Sequence, residues 1–137
     1  MSHAYVLDTT VLIDHAKGRA EGAEVLATLF AETSLLYTCD VVTSESLSGG
    51  IPPERALITR LLEALEYVAI DPEGARWAGM RRRELRMAGR RCPLADALIA
   101  AVAWRMDATV VTRNAADFER FGVPVLAYGE AQASEGT

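Results

Sequence analysis

Residues 4–14 read AYVLDTTVLID. The four residues from Ala4 to Leu7 suit a buried strand, Asp8 follows at its end with two threonines behind it, and a second apolar run starts at Val11. That order is the pattern of a strand feeding a helix. Downstream, short runs rich in Val, Ile and Leu alternate with longer stretches of helical periodicity, which predicts an α/β fold with a parallel sheet covered by helices. Strands are expected at residues 4–7, 35–38, 66–70, 109–112 and 123–126. Helices are expected at 11–17, 23–32, 40–48, 53–64, 72–87, 93–106 and 115–121, and Pro53, Pro72 and Pro93 each sit where a proline opens a helix at no cost in hydrogen bonds. No repeat or linker interrupts the pattern. Residues 1–131 are therefore expected to form a single domain, with 132–137 a frayed tail.

The chain has 137 residues, half of them hydrophobic and 24% charged, with a net charge of −5. This suits one globular domain with a real core and excludes a disordered chain. It also argues against a protein that grips nucleic acid with its whole surface, while leaving room for a local basic patch or for acids that converge on a metal. No basic and apolar leader opens the sequence, and no apolar run approaches the roughly 20 residues of a membrane span, so a cytoplasmic protein without membrane contact is expected. Cys39 and Cys92 lack metal-site spacing and are expected as free thiols. His3 and His15 are lone histidines, expected at the surface.

Four acidic residues stand out by position. In open parallel sheets the ligand crevice lies beyond the carboxyl ends of the strands, where Asp8 ends the first strand. Asp8 also suits the N-cap of the following helix, and this segment alone favours neither reading. In PLADALIAAVAWRM, residues 93–106, Asp96 shares a helical face with Ile99, Ala100 and Ala103. A carboxylate on an apolar stripe costs several kcal/mol unless a cation, donors or a raised pKa relieves it, although a first-turn acid is also favoured by the helix dipole. Glu45 lies in DVVTSESLSGG, with Val41 and Val42 one turn before it, and a solvent-facing Glu45 fits the pattern too. In TVVTRNAADFERFGVPV the strand ending at Thr112 runs into Arg113, Asn114 and Asp117, where Asn114 suits an N-cap and Asp117 a first-turn acid.

Together these segments resemble the PIN-domain family of metal-dependent ribonucleases, and within it the short VapC-type toxins of bacterial toxin–antitoxin pairs. The residues that carry the resemblance are VLDTTVLID around Asp8, the E-x-L-x-G of Glu45, Leu47 and Gly49, DALIAAVA from Asp96, and VVTRNAADF from Val110 to Phe118. It spans Tyr5 to about Val125. The resemblance implies a three-layer α/β/α sandwich with a central, mostly parallel sheet of about five strands. It also implies an acidic cluster of Asp8, Glu45, Asp96 and Asp117 holding one or two Mg²⁺ or Mn²⁺ ions, supported by Thr9, Thr112 and Asn114. Members differ over whether the fourth acid stands at the position of Asn114 or of Asp117, and here only the latter is acidic.

That donor set agrees with the chemistry of Mg²⁺, which takes oxygen ligands and keeps several waters. Such an ion lowers the pKa of a bound water and neutralises charge on a scissile phosphate. Arg81, Arg82, Arg83, Arg86, Arg90 and Arg91, just before the helix of Asp96, form a stripe able to contact RNA phosphates, or a solvated face paired with Glu73 and Glu84. The resemblance further implies a homodimer, a VapB-type antitoxin as partner, and transfer or ribosomal RNA as substrate. Leu26, Leu29 and Phe30 on the early helices are candidates for the antitoxin contact or for the core. A phosphatase of the haloacid dehalogenase type, which also begins with an apolar strand and an aspartate, needs a second aspartate where Thr10 stands. A non-catalytic PIN-like module that binds RNA or protein is the alternative, and the presence of all four acids argues against it.

Overall fold

The computed structural model describes residues 3–32 and 34–129, so the tail at 132–137 lies outside the described residues. Five strands and seven helices follow the expected alternation: β1 (Ala4–Leu7), α1 (Thr9–Ala16), α2 (Ala20–Ala31), β2 (Leu35–Cys39), α3 (Asp40–Leu47), α4 (Pro52–Glu63), β3 (Glu66–Val68), α5 (Pro72–Met87), α6 (Leu94–Met106), β4 (Thr109–Thr112), α7 (Ala115–Glu119) and β5 (Val125–Ala127). The sheet order is β3-β2-β1-β4-β5, and all four pairings are parallel.

Parallel neighbours need crossovers, and right-handed crossovers decide which face each helix covers. The chain steps from β1 to β2 to β3 in one direction, which puts α1 to α4 on one face. It then crosses back to β4 and β5, which puts α5 to α7 on the other. The packing agrees: α1 touches α2, α3 and α4, while α6 touches α5 and α7, and both α1 and α6 lie against β1 and β4. The three layers are thus α/β/α. Val6, Leu7, Val110 and Val111 are fully buried between Val11 and Leu12 of α1 and Ile99 and Ala100 of α6. Buried alanines at 97, 100, 101 and 103 let α6 approach the sheet closely. Truncating Leu12 to alanine at the centre of this core would cost about 2–5 kcal/mol.

Several boundaries differ from the sequence reading for local reasons. α1 starts at Thr9, two residues early, because Asp8 takes the N-cap position. α2 also begins earlier, at Ala20, and its Leu26 and Leu29 are core residues, 5% and 2% exposed, whereas Phe30 is 43% exposed. Leu26 and Leu29 are therefore removed from any docking surface. β3 stops at Val68 rather than residue 70, and the Ile70 N–H turns to the Asp40 carboxylate at 3.5 Å. β5 starts at Val125 because Pro124 has no N–H to offer the ladder, although its carbonyl still accepts from Val110 N–H at 2.9 Å. α6 begins at Leu94, with Pro93 as its N-cap at ψ 142.

Two helix ends set the position of α6. Asp71 caps α5 by accepting from the Gly74 N–H at 2.7 Å, and its other oxygen accepts from Arg105 Nε of α6 at 2.9 Å. At the far end Gly89 adopts φ +74, with Gly89 N–H bonded to Arg86 O and Arg90 N–H bonded to Leu85 O at 2.8 Å. This αL turn stops α5 and sends the chain back into α6. Between the two ends the Trp77 and Trp104 rings stack with centroids 5.3 Å apart and planes 10° apart, and the Arg81 guanidinium lies 5.8 Å from the Trp77 ring. Cys39 and Cys92 are buried and free. No helix among the described residues is long and apolar enough to cross a membrane.

Candidate active site

β1 leads to β2 on one side and β4 leads to β5 on the other, so the connections diverge beyond the carboxyl ends of β1 and β4. A crevice opens at such a point. Asp8 sits in it. Its backbone N–H donates to Val111 O at 2.9 Å, the last rung between the two strands. Its carboxylate is 5% exposed, and Oδ2 accepts from Thr112 Oγ1 at 2.8 Å and from Thr10 Oγ1 at 3.0 Å. Although Asp8 holds the N-cap position, its side chain makes no cap hydrogen bond. Both sequence readings meet here: the backbone starts the helix, and the carboxylate faces the crevice. Burial pushes its pKa up, and the Thr112 and Thr10 hydroxyls pull it partly back.

The hydroxyls are themselves fixed by the β4–α7 loop. Asn114 N–H donates to Thr112 Oγ1 at 2.9 Å and Arg113 N–H donates to Thr10 Oγ1 at 3.3 Å. Asn114 serves through its backbone, and its side chain makes no cap bond. Thr9 and Thr10 divide the work: Thr9 Oγ1 donates to Glu45 Oε1 at 2.7 Å, while Thr10 serves Asp8. The sequence reading assigned support to Thr9 and missed Thr10, whose place two residues after Asp8 was the available signal.

Asp96 lies in the first turn of α6, half-buried. Its pKa is pushed up to about 6, first by burial, then by the charges of Asp117 and Asp8, with Glu45 adding and Arg120 opposing. Asp8, Asp117 and Glu45 therefore all lie close enough to Asp96 to oppose its charge. Glu45 is exposed on α3. Asp117 is held by Arg120, which donates from Nη2 to Oδ1 at 2.8 Å and from Nε to the Asp117 carbonyl at 2.9 Å. Arg120 also donates to the Arg91 carbonyl, and its side chain is only 12% exposed. Sequence reading missed Arg120; its spacing of three from Asp117 was the only hint.

The donor set is all oxygen, which suits Mg²⁺ or Mn²⁺. Among the described residues no three His, Cys, Asp or Glu side chains converge to ligate one ion directly. Mg²⁺ commonly binds through one or two carboxylates and keeps its waters, and a pair such as Asp8 and Asp96 suits that habit.

The arginine stripe is divided. Arg81 turns under the helix, donating to the Phe121 carbonyl at 2.7 Å and to Glu84 at 3.0 Å, and Arg82 Nε donates to the Cys92 carbonyl at 3.1 Å. Arg82, Arg83 and Arg86 flank an open cleft with Met87 and Gly79. Arg90 and Arg91 are exposed in the turn that leads to Asp96.

A second buried carboxylate lies nearby. Asp14 of α1 is 1% exposed; Oδ1 accepts from Arg19 Nη1 at 3.3 Å and Oδ2 from the Tyr128 hydroxyl at 2.8 Å. Arg113 Nε stands 3.4 Å from Oδ2, pairing by charge without a well-aligned hydrogen bond. The backbone of Gly22 packs so tightly on Asp14 that a Cβ there would lie 2.8 Å from the Asp14 Cβ.

The sequence profile of the PIN domain matches residues 5–124. Ribonuclease VapC19 of Mycobacterium tuberculosis is 30% identical over 116 residues, covering 85% of this chain and 93% of that relative. Among solved structures, VapBC2 from Rickettsia felis, bound to a DNA fragment from its promoter, superposes with a TM-score of 0.79 at 22% identity, covering 92% of this chain and 99% of that one. DNA-bound VapBC from Salmonella typhimurium gives a TM-score of 0.78 at 26% identity, covering 93% and 98%.

Proposed function

The chain belongs to the PIN domain family, and from that premise we propose that it is a metal-dependent endoribonuclease, the toxin of a toxin–antitoxin pair, with the crevice around Asp8 as its catalytic centre. One observation carries the reading. Asp8 is a buried carboxylate held by the Thr10 and Thr112 hydroxyls and favoured by nearby backbone N–H groups, and among the described residues no cation pairs with it. Asp96 beside it feels the charges of Asp8, Asp117 and Glu45 at the switch point of the sheet. A site of this kind gains most from binding a cation. Likeness to Ribonuclease VapC19 supports RNA as the substrate, and likeness to the VapBC structures supports a VapB-type antitoxin.

Asp8 and Asp96 would hold Mg²⁺ or Mn²⁺, which supplies the charge that lowers the pKa of a water and neutralises the scissile phosphate. Thr10 and Thr112 fix the Asp8 carboxylate so that little reorganisation is needed during the reaction. Thr9 holds Glu45 through Oε1, which leaves Oε2 to orient the attacking water and accept its proton. Asp117, fixed by Arg120, would help to hold a second ion or its waters. Arg83, Arg86, Arg90 and Arg91 present positive charge to the RNA backbone, while Arg81 and Arg82 mainly fasten α5 to its neighbours. The targets are structured cellular RNAs such as transfer or ribosomal RNA, cut in single-stranded loops where bases are accessible. A homodimer is the expected assembly.

The test is cleavage of total cellular RNA by the purified protein freed of any partner, with Mg²⁺ or Mn²⁺, with EDTA, and with Asp96→Asn. Discrete fragments that vanish in both controls are expected. RNA left intact by the folded protein across a range of metals would leave the binding-module reading in its place.

A further inference from the structure

Beyond the carboxyl ends of β2 and β3, on the side of the crevice away from β4, lies an open cleft of about 500 Å³. Its apolar walls are Val41, Ile70, Ala75 and Leu98, and its other polar groups are the Asp40 carboxylate and the Ser44 hydroxyl. Glu45 is the wall that it shares with the acidic crevice. The rim is firmly placed, because Cys39 of β2 pairs with Val68 of β3 just before Asp40 and Ile70. Asp40 accepts only a long bond from Ile70 N–H on Oδ2, and among the described residues Oδ1 takes none. Among the described residues no cationic side chain lines this cleft.

We infer that the cleft is the subsite for a nucleobase flanking the scissile phosphodiester, and that Asp40 makes it select a base with an exocyclic amine. The inference rests on the ribonuclease reading of the crevice. The lining repels a phosphate, since it carries two carboxylates and no cation. It accepts a planar group with apolar faces and N–H donors at its edge, which describes a splayed-out base. Position argues the same way: a base hangs within one nucleotide of its phosphate, and Glu45 is common to both spaces. An exocyclic amine donates to Asp40, whereas the O4 carbonyl of uracil would oppose its charge.

The test starts from a short RNA whose cut is mapped with the wild-type protein. Substrates are then made with cytosine or uracil at each nucleotide flanking the cut, and kcat/KM is compared for wild type, Asp40→Asn and Ala75→Phe, with Mn²⁺ uptake followed separately by electron paramagnetic resonance. At one flank the wild type should prefer cytosine about tenfold, the worth of one charge-assisted hydrogen bond. Asp40→Asn, which offers uracil O4 a donor, should abolish that preference. Ala75→Phe fills the cleft from an exposed helical position and should lower kcat/KM for both substrates about tenfold while Mn²⁺ uptake stays unchanged. Equal rates on both bases in the wild type, or a preference that survives Asp40→Asn, would overturn the subsite and leave the ribonuclease standing. Cleavage indifferent to base but inhibited by arginine amide would assign the cleft to a cationic side chain of a protein partner. RNA left uncut by the wild type would remove the ribonuclease reading and the subsite with it.

Discussion

Asp8 caps the first helix and Asp14 lies six residues on, in its last turn, and both are buried, yet their surroundings are opposite. Asp14 is enclosed by Arg19, Arg113 and the Tyr128 hydroxyl. Asp8 receives two threonine hydroxyls and lies beside Asp96, which also feels the charges of Asp117 and Glu45. The first arrangement neutralises a charge with parts of the protein itself and ties α1 to the segment after β5. The second restrains a charge without neutralising it. A buried carboxylate with its own cation is a fastener; one left near other acids is, on the ribonuclease reading, a place for an ion.

The contrast is sharpest under amidation. Asp8→Asn should lower RNA cleavage on the order of 10³-fold, or about 4 kcal/mol of barrier, while thermal stability holds or rises because a buried charge is removed. If Asp8→Asn instead unfolded the protein with no separate loss of activity, the distinction would collapse. Asp14→Asn should do the reverse. It leaves two guanidinium groups without their counter-charge and should cost about 3 kcal/mol in urea denaturation, with cleavage per folded molecule within a few-fold of wild type.

Acidity separates the two regions more gently. The folded-state pKa of Asp96 is about 6, above its unfolded value, so its favourable contribution is complete below about pH 4 and disappears as pH rises through 6. The metal-free protein should therefore be less stable at pH 7.5 than at pH 5 by about 1–2 kcal/mol from this group. Asp96→Asn should flatten that part of the profile, as should saturating Mg²⁺. A denaturation series across pH 4–8 checks it, and an unchanged slope in the variant would refute the assignment. The smallest effect belongs to Tyr128→Phe, which removes one donor to Asp14 and should cost about 1 kcal/mol without altering Mn²⁺ uptake.

Much of this was legible in the sequence because it depends on local order. A strand followed by Asp8, and an aspartate in the face of an alanine-rich helix, announce their positions through period and sequence neighbours alone. Partners distant in the chain were not legible. Thr112 reaches Asp8 across 104 residues and Tyr128 reaches Asp14 across 114, so no window of sequence holds both members. The stripe of arginines shows the same limit: spacing marks a basic helix, but only packing turns Arg81 toward Phe121 and leaves Arg83 at an open cleft. At β5, by contrast, the missing N–H of Pro124 was visible and should have moved the predicted strand start.

The stacked indoles on α5 and α6 give the protein a built-in optical gauge. Trp77 and Trp104 are its only tryptophans, and parallel rings at 5.3 Å couple their excited states. Sliding α5 along α6 would change both the near-ultraviolet circular dichroism and the emission. Since α6 carries Asp96 in its first turn and α5 carries the arginines, any shift between these helices on adding Mn²⁺ or RNA would be readable from the unlabelled chain.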